Sequence, residues 1–150
     1  MPNRIVVTEL GGPEVLKYEK YELQNKLPRN HVRIKQTSIG LNYIDTYHRT
    51  GIYPLPLKLP FCLGLEAAGN IIEVGDDVKN FKVGDRVAYS FSPPLGAYCE
   101  VRDFDSDKLI KLPEYISNDD AASILLQGMT VEYLFERLYK IKKDEIFLFH

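Results

Sequence analysis

Most of the first 115 positions alternate between short apolar runs and turn residues, the pattern of small β-strands. Ile5-Val6-Val7 opens the chain and Gly11-Gly12-Pro13 stops that strand. Val32 and Ile34 alternate with Arg33 and Lys35, the period of a half-buried strand. Ala67 to Val74 is a run of small and β-branched residues that ends in the turn Gly75-Asp76-Asp77. Val83-Gly84-Asp85-Arg86-Val87-Ala88-Tyr89 places a Gly-Asp turn before another strand, and Tyr98–Val101 and Leu109–Leu112 supply two more. Short strands with turns at this spacing predict a barrel or sandwich, not a βαβ array.

The pattern changes near residue 117. Ser117 followed by Asp120 predicts a capping box, and Asp119 and Asp120 suit the positive end of a helix dipole. Gly128 is expected to interrupt this helix, with Thr130 capping a second segment. In that segment Val131, Leu134, Phe135 and Leu138 fall at i, i+3, i+4 and i+7, one apolar stripe. Glu145-Ile146-Phe147-Leu148-Phe149-His150 then predicts a buried strand. A helix followed by an almost wholly apolar strand is how a doubly wound α/β domain begins, and a glycine-rich phosphate turn should follow. None of the ten glycines forms a G-x-G-x-x-G. The division expected is therefore a β-rich domain over 1–116, with a helical linker and the first strand of a truncated dinucleotide-binding domain over 117–150.

Composition narrows the function. Lys and Arg number 19 against 21 Asp and Glu, a formal net charge of −2, and this near balance argues against a nucleic-acid partner. At 45% apolar and 27% charged residues the chain has a globular composition. No run approaches the roughly 20 apolar residues of a membrane span, and Met1–Val7 lacks the features of a signal peptide. The expected location is cytoplasmic. Two cysteines 37 positions apart suggest no disulfide framework. The soft ligand atoms belong to His31, His48, Cys62, Cys99 and His150, none of them at zinc-knuckle spacing, so no structural metal site is expected.

Several segments then resemble one family in register: Gly11-Gly12-Pro13-Glu14-Val15-Leu16, Gly40-Leu41-Asn42-Tyr43-Ile44-Asp45-Thr46-Tyr47, Gly51-Ile52-Tyr53-Pro54, Gly64-Leu65-Glu66-Ala67-Ala68-Gly69, Val83-Gly84-Asp85-Arg86-Val87 and Gln127-Gly128-Met129-Thr130. Together they look like the N-terminal half of the NADPH-dependent quinone oxidoreductases, the zeta-crystallin-like, zinc-independent branch of the medium-chain dehydrogenase/reductase superfamily. The resemblance implies a mainly β fold with some helix: a GroES-like β-barrel catalytic domain, then the helix and first strand of an incomplete Rossmann domain. It also implies chemistry without zinc. Where the zinc-dependent branch carries a Cys and a His, this chain has Asn42 and Leu65, which cannot replace thiolate and imidazole.

The implied reaction is hydride transfer from NADPH to a quinone or conjugated carbonyl. By resemblance Asn42, Tyr43, Asp45, Tyr47, Gln127 and Thr130 border the cofactor, and Tyr47 and Tyr53 are the catalytic candidates. Each has a plainer reading beside it. Asn42–Tyr47 suits a strand end and turn, Asp45 a loop anchor, Tyr53 an exposed loop position, and Thr130 a helix cap. Glu66 reads as a structural acid, Cys62 as a small buried hydrophobe, and His31 and His48 as surface residues. Without a Rossmann half the chain alone is expected to be inactive and to bind NADPH weakly or not at all. The alternative is a non-catalytic domain that self-associates through 117–150, as a homodimer or larger, or that pairs with a separately encoded partner.

Overall fold

The computed structural model describes residues 1–90, 95–146 and 148. Its strands form two antiparallel sheets. β1 (Asn3–Val7) lies between β2 (Leu16–Lys20) and β4 (Phe61–Cys62) in a three-stranded sheet. The five-stranded sheet runs β7-β3-β5-β6-β8, with β3 at His31–Ile39, β5 at Glu66–Val74, β6 at Arg86–Ser90, β7 at Val101–Asp105 and β8 at Ile110–Lys111. The barrel expected from the strand pattern takes this form, with residues 97–100 joining the two sheets. Ile5 N–H donates to Tyr98 O at 2.8 Å, Tyr98 N–H to Leu63 O at 2.9 Å and Gln36 N–H to Glu100 O at 2.9 Å. The strand expected over Tyr98–Val101 therefore serves as a seam, and the regular strand begins at its last residue.

β-branched, small and aromatic residues build the core on the five-stranded sheet. Val32, Ile34, Ala67, Ile71, Val87, Tyr89, Ala97 and Phe104 form its main cluster. Tyr89 and Phe104 stack with ring centroids 4.2 Å apart, and the Arg102 guanidinium lies 4.8 Å from the Phe104 centroid. Gln36 is buried and satisfied: its Nε2 donates to Ala97 O at 2.8 Å, and its Oε1 accepts from the Tyr89 hydroxyl. β3 and β5 approach closely at Gly69, beside a register shift between Gln36 and Ser38. A Cβ there would meet Lys35 O at 2.2 Å.

Helix α2 (Asn118–Glu132) packs Ala121 and Ala122 against Ala68 and Ala88 of β5 and β6, where small side chains on both faces admit a close approach. The expected capping box is present. Ser117 Oγ accepts from Asp120 N–H at 3.0 Å, and Asp120 Oδ2 accepts from Ser117 N–H at 3.4 Å. Gly128 does not interrupt the helix, contrary to the expectation. Good helix formers flank it and nothing lies within 4 Å of where its Cβ would be, so it is an ordinary exposed helical glycine. Thr130 consequently caps nothing: its hydroxyl donates back to Leu126 O at 2.9 Å. A wider π-type turn over Tyr133–Leu138 follows.

The buried strand expected over 145–150 is not formed by its described residues. Ile146 is 98% exposed, and Ile146 and Leu148 join neither sheet. An interior strand needs neighbours along its edges and apolar cover on both faces, and neither sheet supplies them here. Phe147, Phe149 and His150 of that expectation lie outside the described residues.

Candidate functional site

The segment Asn42–Tyr47 is neither strand end nor turn. It starts helix α1 (Tyr43–Thr50), with Asn42 as an extended N-cap and Gly51 closing the helix at φ 80°. Asn42 N–H donates to Asp45 Oδ2 at 2.9 Å, and Asp45 N–H donates to Asn42 O at 3.0 Å. Tyr98, from the seam between the sheets, donates its hydroxyl to the same Asp45 oxygen at 2.8 Å. Asp45 is buried and its Oδ1 has no partner among the described residues. Burial pushes its carboxyl above the ordinary range, opposed by the Asn42 N–H, the Tyr98 hydroxyl and His48. The same burial, with Asp45 alongside, raises the Tyr98 phenol.

His48 corrects the expectation of a surface residue: it is 3% exposed. It lies one turn after Asp45 on the inward face of α1, and the Tyr53 ring packs on it at 5.7 Å. Burial holds its imidazole below the usual 6.5, with Asp45 working the other way. The unfolded chain therefore takes up this proton first as the pH falls, so stability is lost below about 6.5. Between pH 7.5 and 5.5 the wild-type melting temperature should drop more steeply than that of His48→Leu. Scanning fluorimetry at both values checks this, and parallel slopes would refute it.

Behind α1 sits a polar chain that the sequence spacing does not announce. Glu66, the first residue of β5, is 1% exposed. Its Oε1 accepts from Asn42 Nδ2 at 2.8 Å, and its Oε2 accepts from the Leu126 backbone N–H of α2 at 2.7 Å. Asn42 Oδ1 in turn accepts from Gln127 Nε2 at 3.0 Å. With Glu66 Oε1 facing its Nδ2 and the Gln127 Nε2 facing its Oδ1, the Asn42 amide is held in one orientation. Gly40 makes room for this arrangement, since a Cβ there would lie 2.3 Å from Ala122 O and 2.4 Å from Glu66 Cγ. One buried acid thus ties the start of α1 to the middle of α2.

Between these helices lies a cavity of about 570 Å³, walled by Ile44, Leu65, Ser90, Leu126, Met129, Thr130 and Tyr133. Of the residues singled out in the sequence, Thr130 lines this cavity, while Asn42 and Gln127 meet through their amides beside it. Tyr43, Tyr47 and Tyr53 are exposed and outside its lining. Tyr53 is held to the α1 side by its N–H, which donates to Tyr47 O at 3.2 Å. Sequence reasoning missed Ser90, Tyr98 and the bridging role of Glu66. The last has a visible signal, an acid set among Gly64, Leu65, Ala67, Ala68 and Gly69. Among the described residues no three His, Cys, Asp or Glu side chains come together as a metal site, and no helix is long and apolar enough to cross a membrane.

The family model for the alcohol dehydrogenase GroES-like domain matches residues 28–135. The chain belongs to that family. Its GroES-like sheets and the helix that follows them are shared with quinone oxidoreductases. The chain is 47% identical to a quinone oxidoreductase of Pseudomonas aeruginosa over 150 residues, all of this chain and 45% of that protein. A 2-haloacrylate reductase of Burkholderia sp. is 41% identical over 97% of the chain and 44% of its own length. The crystal structure of the Escherichia coli quinone oxidoreductase complexed with NADPH superposes with a TM-score of 0.89 at 45% identity, covering 95% of this chain and 43% of that one. The GroES-like chain thus spans a little under half the length of the relatives it matches.

Proposed function

We propose that this chain forms the acceptor side of an NADPH-dependent quinone reductase. In this reading residues 1–116 are the catalytic domain and 117–150 the linker helix and first strand of a dinucleotide-binding domain, in a cytoplasmic protein. The observation that carries it is the mostly apolar cavity between α1 and α2, with the Asn42–Glu66–Gln127 chain fixed beside it. That space suits a flat, uncharged ring system better than a charged substrate. The kinship with quinone oxidoreductases and a 2-haloacrylate reductase points to a quinone or another conjugated carbonyl.

The donor set fits the nicotinamide end of NADPH, which when bound supplies a hydride from C4. Asn42 and Gln127 hold an ordered amide edge, Thr130 closes the cavity wall, and Tyr43 and Tyr47 present phenols along α1. Asp45 works from behind, holding the first turn of α1 in place. Tyr47 or Tyr53, on the α1 side and outside the cavity lining, is a further group able to donate a hydrogen bond where negative charge develops on an acceptor oxygen. The chemistry runs without zinc: Leu65 has no lone pair to offer, and the Asn42 amide is committed to Glu66 and Gln127.

With contacts to one end of the dinucleotide only, the 150-residue chain should bind NADPH no tighter than roughly millimolar, about 4 kcal/mol, and should not turn over quinone by itself. Fluorescence titration tests this. Micromolar affinity would mean that these residues build a phosphate site of their own and would overturn the assignment of roles.

A second reading, a non-catalytic domain that self-associates or pairs with a separately encoded partner, is favoured by the last part of the chain. Val131, Leu134 and Leu138 are exposed along one stripe, with Ile146 and Leu148 beyond them. Leaving such side chains in water forfeits about 1.5–3 kcal/mol each. A twofold pairing through residues 117–150 would cover one patch with its own copy. Light scattering over a hundredfold range of concentration should then show a dimer or larger species. A concentration-independent monomer would sink it.

A further inference from the structure

We propose that Ser90 is an acceptor-binding residue, its hydroxyl donating a hydrogen bond to a carbonyl oxygen of a planar conjugated ligand seated between α1 and α2. The inference rests on reading that cavity as the acceptor site. Ser90 is the last residue of β6 and pairs with Glu66 across the β5–β6 ladder. Residues directly opposite in an antiparallel pair point to the same face of the sheet, so Ser90 stands on the face where Glu66 receives α2.

Its Oγ is buried and has no hydrogen-bond partner among the described residues, and the residue lines the cavity. Buried hydroxyls are almost always satisfied, because an unmade bond costs free energy that the unfolded, hydrated chain does not lose. Of the two other hydroxyls on the wall, Thr130 already donates to Leu126 O at 2.9 Å and Tyr133 is an exposed side chain, so Ser90 is the one whose oxygen is both buried and unpartnered among the described residues. Ile44, Leu65, Leu126 and Met129 contribute only apolar surface. Among the described residues of the lining there is no carboxylate, ammonium or guanidinium. A ligand that fits is therefore uncharged and largely apolar, with an acceptor oxygen at its edge. Quinones and enones meet that description. A hydrocarbon of the same outline leaves Ser90 unsatisfied, so the hydroxyl sets a preference for the carbonyl compound.

The test uses the 150-residue chain, with duroquinone as the carbonyl probe and durene, the same methylated ring without the two oxygens, as its control. Methyl-labelled NMR titrations follow Ile44 and Met129, which face the probe. Wild-type protein is expected to bind duroquinone about tenfold tighter than durene. Ser90→Ala should remove most of that ratio by weakening duroquinone and leaving durene unchanged. Ser90→Cys, nearly isosteric with a weaker donor, should fall between them and provides the comparison if the alanine variant folds poorly. A ratio that survives both substitutions would overturn the role of Ser90 while leaving the cavity as an acceptor site. Failure of both probes to shift the Ile44 and Met129 methyls would overturn the acceptor reading itself, and Ser90 with it.

Discussion

Glu66→Ala is expected to lower the unfolding free energy by about 3 kcal/mol or more, a large share of the stability of a small domain. The loss comes from what the carboxylate leaves behind. The buried Asn42 Nδ2 and the part-buried Leu126 N–H each give up their acceptor, at about 1–3 kcal/mol apiece. Glu66→Gln keeps one acceptor oxygen and can satisfy one of the two donors, so it should fall between wild type and alanine. Urea unfolding of the three proteins measures the order, and amide exchange at Leu126 reports where the damage sits. Alanine within about 0.5 kcal/mol of wild type would mean that the bridge between α1 and α2 contributes nothing to the fold.

The second large effect is expected at Gly69. A methyl group there would sit 2.2 Å from Lys35 O and 2.8 Å from Gln36 Cα. Both are backbone atoms of β3, and β3 is itself paired on its other edge by β7. Neither strand can step aside without breaking a ladder, so Gly69→Ala should cost about 3 kcal/mol or more, or prevent folding. Gly128→Ala is the opposite case: an exposed helical glycine with open space about it, expected to gain about 0.5–1 kcal/mol. Chemical denaturation of the pair gives two shifts of opposite sign. Equal shifts would contradict the packing described for β3 and β5.

The strands that carry the core were legible because their signal is local. Val32 and Ile34 alternate in sequence and are buried in the structure, and the turn at Gly84-Asp85 stands where β6 begins. β2 and β4 escaped for the same reason in reverse. β2 is largely exposed and β4 has two residues, too few for a period to show. Helix α1 was recoverable: Asn42 followed by Asp45, and Gly51 at the far end, repeat the logic that located α2 at Ser117 and Asp120. What hid it was its content, since Asp45 and His48 occupy the inward face where apolar residues would normally mark a helix. The chain from Gln127 through Asn42 to Glu66 joins residues 85 and 24 positions apart. No spacing rule reaches across such gaps, so these residues came forward through resemblance, and their mutual bonding only through the fold. The tail misled because an apolar run signals burial wherever cover exists, and the described chain provides none.

Quinones are electrophiles as well as oxidants, and they arylate thiolates. If the acceptor proposed above is a quinone, the chain that takes it must keep its own sulfur quiet. Both cysteines here are free. Cys62, in β4, is half-buried and its thiol is pushed up to about 12, chiefly by burial and then by Cys99. Cys99 is buried and raised for the same leading reason. At neutral pH the Cys62 thiol is then overwhelmingly in its protonated, weakly nucleophilic form. Both thiols, Cys62 in β4 and Cys99 in the seam that joins the two sheets, are thus held in the protonated, unreactive form, which would spare the chain arylation by the acceptors proposed for it.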